Sequence, residues 1–194
     1  LLSLFNAALE KAGKNTKGLA IAAVGGYGRG ELAPGSDLDI VILHQGQFSH
    51  NDLGEFVNNL LYPLWDSKSV DHSVRTRTET RDAAENDLKV ALGLLDIRLV
   101  AGDADLVASV QSDSLDAWRK HARNRLPELK KSLEQRHERA GELAYLLEPD
   151  VKEARGGLRD INALRAISLS GATKVPLERI SWAESKLNDV RETL

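Results

Sequence analysis

The chain contains no cysteine, which excludes thiol nucleophiles, disulfides and thiolate-held metals together. Methionine is also absent, initiator included, and the sequence starts abruptly in LLSLFNAALE. The expectation is a piece of a longer protein, or a chain with residues missing, so local motifs count for more than long spacings. Aromatic residues make up only 5% and the formal net charge is -3. That balance argues against the basic, aromatic-rich surface of a nucleic-acid-binding protein. No apolar run approaches the roughly 18–20 residues that span a bilayer, and no basic-then-apolar leader opens the chain. A cytoplasmic location, with neither membrane nor nucleic acid as partner, is expected.

What is present fits one compact domain with a helical extension: 194 residues, 42% hydrophobic and 28% charged. Leu2 to Lys11 has the spacing of an amphipathic helix. Leu19 to Val24 is a short apolar run suited to a strand buried on both faces. A glycine-rich loop follows, then a strand from Leu38 to Leu43. The positions Leu53, Phe56, Val57, Leu60, Leu61 and Leu64 predict a helix that Pro63 closes or kinks. Val70 to Arg75 alternates like a strand, Asp87 to Leu95 reads as helix, and Ile97 to Ala101 is a further short apolar run. Beyond Gly102 the pattern is almost wholly helical, broken at 148–157 and 171–176. The predicted organisation is therefore α+β: a small mixed sheet flanked by helices over 1–102, then an all-helical domain over 103–194.

The chemistry concentrates in VGGYGRGELAPGSDLDIVIL, residues 24–43. Asp37 and Asp39 stand two apart at a strand start, so their side chains leave one face with Cα atoms roughly 6–7 Å apart. Both carboxylates can then reach one or two hard cations, while Leu38, Ile40 and Ile42 fix the register from the opposite face. The preceding Gly25-Gly26-Tyr27-Gly28-Arg29-Gly30 lets backbone N–H groups approach phosphate oxygens closely, with Arg29 adding charge. Ser36 adjoins the acidic pair as a further nucleotide contact. A Walker loop is excluded because Gly13-Lys14-Asn15 lacks the hydroxyl residue, and a dinucleotide fingerprint because Glu31 stands where its last glycine belongs. A glycine-rich hairpin with a polar strand start would explain either half alone. The two halves together point to metal-assisted attack on phosphorus.

At these residues the sequence resembles the DNA polymerase beta-like nucleotidyltransferase superfamily, with its Gly-Gly followed by Asp-x-Asp. Within it, the stretch is most similar to the bifunctional uridylyltransferase/uridylyl-removing enzymes that modify the PII nitrogen-signalling protein. Trp65-Asp66 with Asp71-His72-Ser73-Val74-Arg75-Thr76, and Leu147-Glu148-Pro149-Asp150-Val151-Lys152 with Gly156-Gly157-Leu158-Arg159-Asp160, support that choice. The resemblance implies a third carboxylate on a later strand, which Asp71 matches by position, giving Asp37, Asp39 and Asp71 as catalytic and metal-holding residues. It implies UMP transfer, with AMP as the alternative, from UTP or ATP to a tyrosine hydroxyl of PII. A tyrosine ionises near pH 10, so its oxygen needs a metal or base to attack at neutral pH. Magnesium, with manganese as a substitute, suits carboxylate and phosphate oxygens. The family also implies HD hydrolase and ACT sensing domains, which are expected to lie outside this chain; no His-Asp dipeptide occurs in it.

Secondary signals carry less. Lys152, Arg155 and Arg159 surround a Gly-Gly that is expected to open a helix, where Lys152 and Arg159 would receive nucleotide; the rival reading is a brace in which Asp150, Arg159 and Asp160 pair. Between Leu115 and Ala140 eight Lys/Arg face four Asp/Glu, the pattern of a solvated helix face. His72 reads as a core or site-wall residue, Trp65 and Tyr62 as core; His44, His50, His121 and His137 have no metal-ligand spacing. Two alternatives stay open. One is a related transferase with another acceptor, such as glutamine synthetase, a small antibiotic or an RNA 3′ end; the other is a non-catalytic nucleotide-sensing module.

Overall fold

The computed structural model describes residues 1–13, 16–33, 35–46, 48–65, 69–145 and 150–193, without the side chains of His50 and Trp65. It divides into two compact units, Leu1–Ser114 and Leu115–Leu194.

The first unit is built on a four-stranded mixed sheet of β1 (Leu19–Ala23), β2 (Leu38–His44), β3 (Val70–Thr76) and β4 (Arg98–Gly102), in the order β3-β2-β1-β4. β1 runs antiparallel to β2 and to β4, whereas β2 and β3 are parallel. The parallel pair needs a crossover, and α3 (His50–Trp65) supplies it. Every residue of β1 is buried, as its unbroken apolar run requires of a central strand covered on both faces.

Alternation along the strands makes two cores. Leu19, Ile21, Ile40, Ile42 and Ala101 face α1 (Leu2–Ala12) and α3 through Phe5, Leu9, Phe56, Leu60 and Leu61. Phe5 and Phe56 meet edge to face, with centroids 5.7 Å apart, a geometry favoured by their quadrupoles. On the other face Ala20, Ala22, Val41 and Leu43 pack with Leu94, Ile97, Leu106, Val107 and Val110. These come from α5 (Leu88–Leu94), the turn after it, and α6 (Ala104–Lys120). Removing a side chain such as Leu60 or Ile42 would forfeit about 1.5–3 kcal/mol of burial before any cavity cost.

The second unit holds the end of α6 with α7 (Ala122–Ala140), α8 (Leu158–Leu169) and α9 (Ser181–Thr193). Trp118, Leu129, Val151, Leu158, Ile161 and Ala166 are buried, and the Trp118 indole N–H donates to Ala166 O at 2.8 Å. The charged stretch expected to be a solvated face is largely that, except that Arg136 is buried.

The α+β class, the mixed sheet and the helical second half agree with the sequence reading. Three local features differ from it or are not foreseen in it. The glycine-rich segment is not an open loop over its first half: residues Gly25–Arg29 form one helical turn, α2. A helix not anticipated, α4 (Arg77–Asn86), follows β3 and starts from a capping box in which Thr76 and Glu79 satisfy each other's backbone N–H groups. Tyr62 is exposed, not core; it stands two residues, about 200°, from Leu60 on the helix and therefore points away from the sheet. The Asp66, Leu147, Glu148 and Pro149 parts of the motifs, and Lys14-Asn15, lie outside the described residues.

Candidate active site

The site residues of the first unit gather where β1 ends. The Val24 N–H donates to Asp39 O at 3.0 Å, so the strand delivers the chain into the glycine segment directly beside Asp39. Gly25 then takes φ +55°, a left-handed conformation that side chains disfavour. Space is not the constraint, since a Cβ there would sit 3.5 Å from Asp39 Oδ2, an ordinary contact. The first intrahelical bond of α2 is Gly28 N–H to Val24 O, 3.0 Å, and no side chain caps the turn. The N–H groups of Gly25, Gly26 and Tyr27 therefore precede any intrahelical acceptor. Gly93, on α5, lies beside this turn: a Cβ there would sit 4.0 Å from both Gly25 N and Val24 Cβ, an ordinary contact.

The acidic residues come from two parallel strands. Asp39 and Asp71 are Cα partners across the β2–β3 ladder, so both side chains leave the same face. Asp37 precedes β2 by one residue and is exposed; Asp39 is half-buried and Asp71 exposed. Leu38 N–H to Ser69 O, 2.9 Å, fastens the start of β2 to the segment leading into β3. Upstream, Ser36 closes a turn: its N–H donates to Ala33 O at 3.0 Å, and its Oγ accepts from Ala33 N–H at 3.1 Å. Among the described residues no three His, Asp or Glu side chains form a ready-made metal centre. The donor set is nonetheless all oxygen, and magnesium is commonly held by one or two carboxylates with phosphate and water completing its shell. The residues present fit that mode.

Arg29 is more deeply engaged than its sequence position suggests. Its Nε donates to Glu31 Oε2 at 2.7 Å and its Nη1 pairs with Asp96. Burial alone would lower its pKa, but Asp96 and Glu31 outweigh that and hold it above its ordinary value. Asp96 and Arg98, which the sequence reading did not single out, both bind α2. Arg98 donates from Nε to Gly28 O and from Nη2 to Tyr27 O, each at 2.9 Å. Its guanidinium lies 5.5 Å from the Tyr27 ring centroid. No pattern marks a lone arginine after an apolar residue as a capping group. His72 is exposed, so it is not a core residue.

In the second unit Lys152 and Arg159 are exposed. The Gly156-Gly157 pair does open α8, with Gly157 as its N-cap. That helix start is filled by its own loop. Leu158 N–H donates to Val151 O (2.9 Å) and Arg159 N–H to Lys152 O (3.1 Å), while Gly156 N–H donates to Asp160 Oδ2 at 2.7 Å. Asp160 also pairs with Arg136 and meets His137 Nε2 at 2.8 Å. Arg136 donates to Glu153 O at 2.6 Å, and Arg159 Nε pairs with Glu153 at 3.0 Å. Burial pushes the Asp160 carboxyl up, but Gly156, Arg136 and His137 together hold it below its usual value.

The first unit thus sets acidic residues on two parallel strands of a mixed sheet beside a glycine-rich turn, and residues 4–94 match the family model described as nucleotidyltransferase domain. Residues 120–173 match the model described as GlnD PII-uridylyltransferase. The chain belongs to the bifunctional uridylyltransferase/uridylyl-removing enzyme family. It is 49% identical to the Streptomyces coelicolor member over 195 residues, 100% of this chain and 23% of that protein. To the Mycobacterium tuberculosis member it is 40% identical over 189 residues, 93% of this chain and 23% of that protein. The chain thus spans about a quarter of the length of these relatives. A solved spectinomycin adenyltransferase from Enterococcus faecialis superposes at TM-score 0.41 and 11% identity over 100% of both chains, too slight a likeness to argue from. Among the described residues no helix is long and apolar enough to cross a membrane.

Proposed function

We propose that this chain transfers UMP, with AMP as the alternative, from a nucleoside triphosphate to a tyrosine hydroxyl of a PII protein. The observation that carries the reading is the pairing of Asp39 with Asp71 across parallel strands, next to the left-handed Gly25. The acceptor is supported by the match of residues 120–173 to a family model whose description names PII. Asp37, Asp39 and Asp71 would hold magnesium, with manganese as a substitute. Bound there, the ion would neutralise phosphate charge and ease ionisation of the acceptor hydroxyl. The backbone N–H groups of Gly25 and Gly26 receive phosphate oxygens. Ser36 holds the turn that presents Asp37 and Asp39. Arg29, already held by Glu31 and Asp96, sets the shape of the glycine turn and adds positive potential beside it.

In the transfer, the tyrosine oxygen bonds to the α-phosphorus, the α–β anhydride bond breaks, and pyrophosphate leaves with the electron pair. The tyrosine proton passes to Asp71 or to water. Two acidic residues supplied by different strands favour a catalytic over a purely sensing role, since binding triphosphate as a signal needs no group to take a proton.

The test is to incubate the chain with PII, magnesium and either UTP or ATP, then weigh PII by mass spectrometry. A gain of one UMP, or one AMP, fixes acceptor and base together. No gain with either triphosphate, while the chain still binds it, would replace the transferase reading with the sensing one.

A further inference from the structure

The turn that carries Gly25 and Gly26 is five residues long, and one turn of helix cannot hold itself together in water. Its stability must come from outside. The same short segment supplies three ties. Asp96 pairs with Arg29. The Asp96 backbone oxygen lies so close to Gly28 that an added Cβ would sit 2.1 Å from it. Arg98 caps the far end of the turn, donating to the carbonyls of Tyr27 and Gly28 while lying against the Tyr27 ring. Tyr27 O also accepts from the Gly30 N–H at 3.2 Å, so Arg98 adds a second donor there and supplies a side-chain donor to Gly28 O at the end of the turn. A planar, permanently charged fork satisfies both at once, which an ammonium on a flexible stem does less well.

Arg98 differs from the other two ties in its surroundings. It is exposed, so changing it opens no cavity in either core. It is also the Cα partner of Ala23, the last residue of β1, placing its anchor on the strand from which the turn departs. We infer that Arg98 is a positioning residue for triphosphate binding: it holds the N–H groups of Gly25 and Gly26 at a fixed place relative to Asp39 without touching the nucleotide. The inference rests on the reading of Gly25 and Gly26 as the phosphate-binding backbone.

The experiment measures binding of a non-hydrolysable UTP analogue and an ATP analogue, each with magnesium, to the full chain and to R98A, R98K and D39N, by calorimetry. Thermal melting and amide exchange at Gly26 and Tyr27 are followed in parallel. R98A is expected to bind the analogue about tenfold more weakly, the loss of one good charged contact, with its melting temperature unchanged and exchange at Gly26 and Tyr27 accelerated. R98K, which keeps the charge and loses the fork, is expected to recover only part of the affinity. Equal binding by R98A and the parent chain overturns the inference and leaves the phosphate site standing. Lower melting with unchanged affinity also overturns it, assigning Arg98 to stability alone. Absence of analogue binding by the parent chain itself overturns the inference together with the reading beneath it.

Discussion

Gly28 is pressed against the backbone of Asp96 so closely that a single added methyl group would lie 2.1 Å from the Asp96 carbonyl oxygen and 3.2 Å from that of Ala23. Both neighbours are backbone, so neither yields without moving β1 or the turn before β4. Gly28→Ala is therefore expected to lose roughly 1–3 kcal/mol, the usual penalty for forcing atoms into packed space, read as a lower urea midpoint for the first unit. Triphosphate affinity should fall with it, because the same movement displaces Gly25 and Gly26. An unchanged midpoint would mean that the contact is looser than described.

Asp71 answers to a different measurement. It is the partner of Asp39 on the neighbouring strand and is proposed as a metal ligand or proton acceptor. Asp71→Asn should lower kcat by about 10²–10³, within the range for losing a proton acceptor or metal ligand, while the KM for triphosphate stays within about threefold. Steady-state kinetics with PII as acceptor read both quantities. A kcat equal to the parent's would remove Asp71 from the mechanism and leave Asp37 and Asp39 as the whole carboxylate set.

Acid tests the second unit. Asp160 holds the Gly156 N–H, Arg136 and His137, and these keep its carboxyl below its ordinary value despite burial. The folded protein thus binds fewer protons there than the unfolded chain, whose aspartates titrate near 3.9. The stabilisation is complete above about pH 4 and is lost as pH falls through the lower, folded value. Asp160→Asn should cost about 1–3 kcal/mol at neutral pH for the weakened bonds, and should flatten the decline of stability below pH 4. Amide exchange at Gly156 provides the local reading; protection there that survives the substitution would show that the loop does not depend on Asp160.

Much of the first unit was legible because its strands state their surroundings. The unbroken Leu19–Val24 run suits a strand inside a covered sheet, and strand geometry over Leu38–Leu43 puts Asp39 opposite the Ile40 and Ile42 core contacts. The partner of Asp39 was not legible: whether β2 and β3 run parallel is set by the crossover through α3, not by either strand's pattern. Four closely spaced glycines suggest a loop; the side chains that bind Gly25–Arg29 as a turn, Arg98 and Asp96, lie about 70 residues away in sequence. The helix after Thr76 is marked in the sequence by Thr76 and Glu79, which stand at capping-box spacing. The Gly156-Gly157 helix start was anticipated, but not that its N–H groups are already taken by Val151, Lys152 and Asp160.

The most direct test of the account is the rate of nucleotidyl transfer to PII by Asp39→Asn at saturating magnesium and triphosphate. Loss of transfer below detection is predicted, with the melting temperature kept, because Asp39 is only half-buried and its replacement is nearly isosteric. A folded variant that modified PII at the parent rate would contradict the assignment of this strand as the catalytic one.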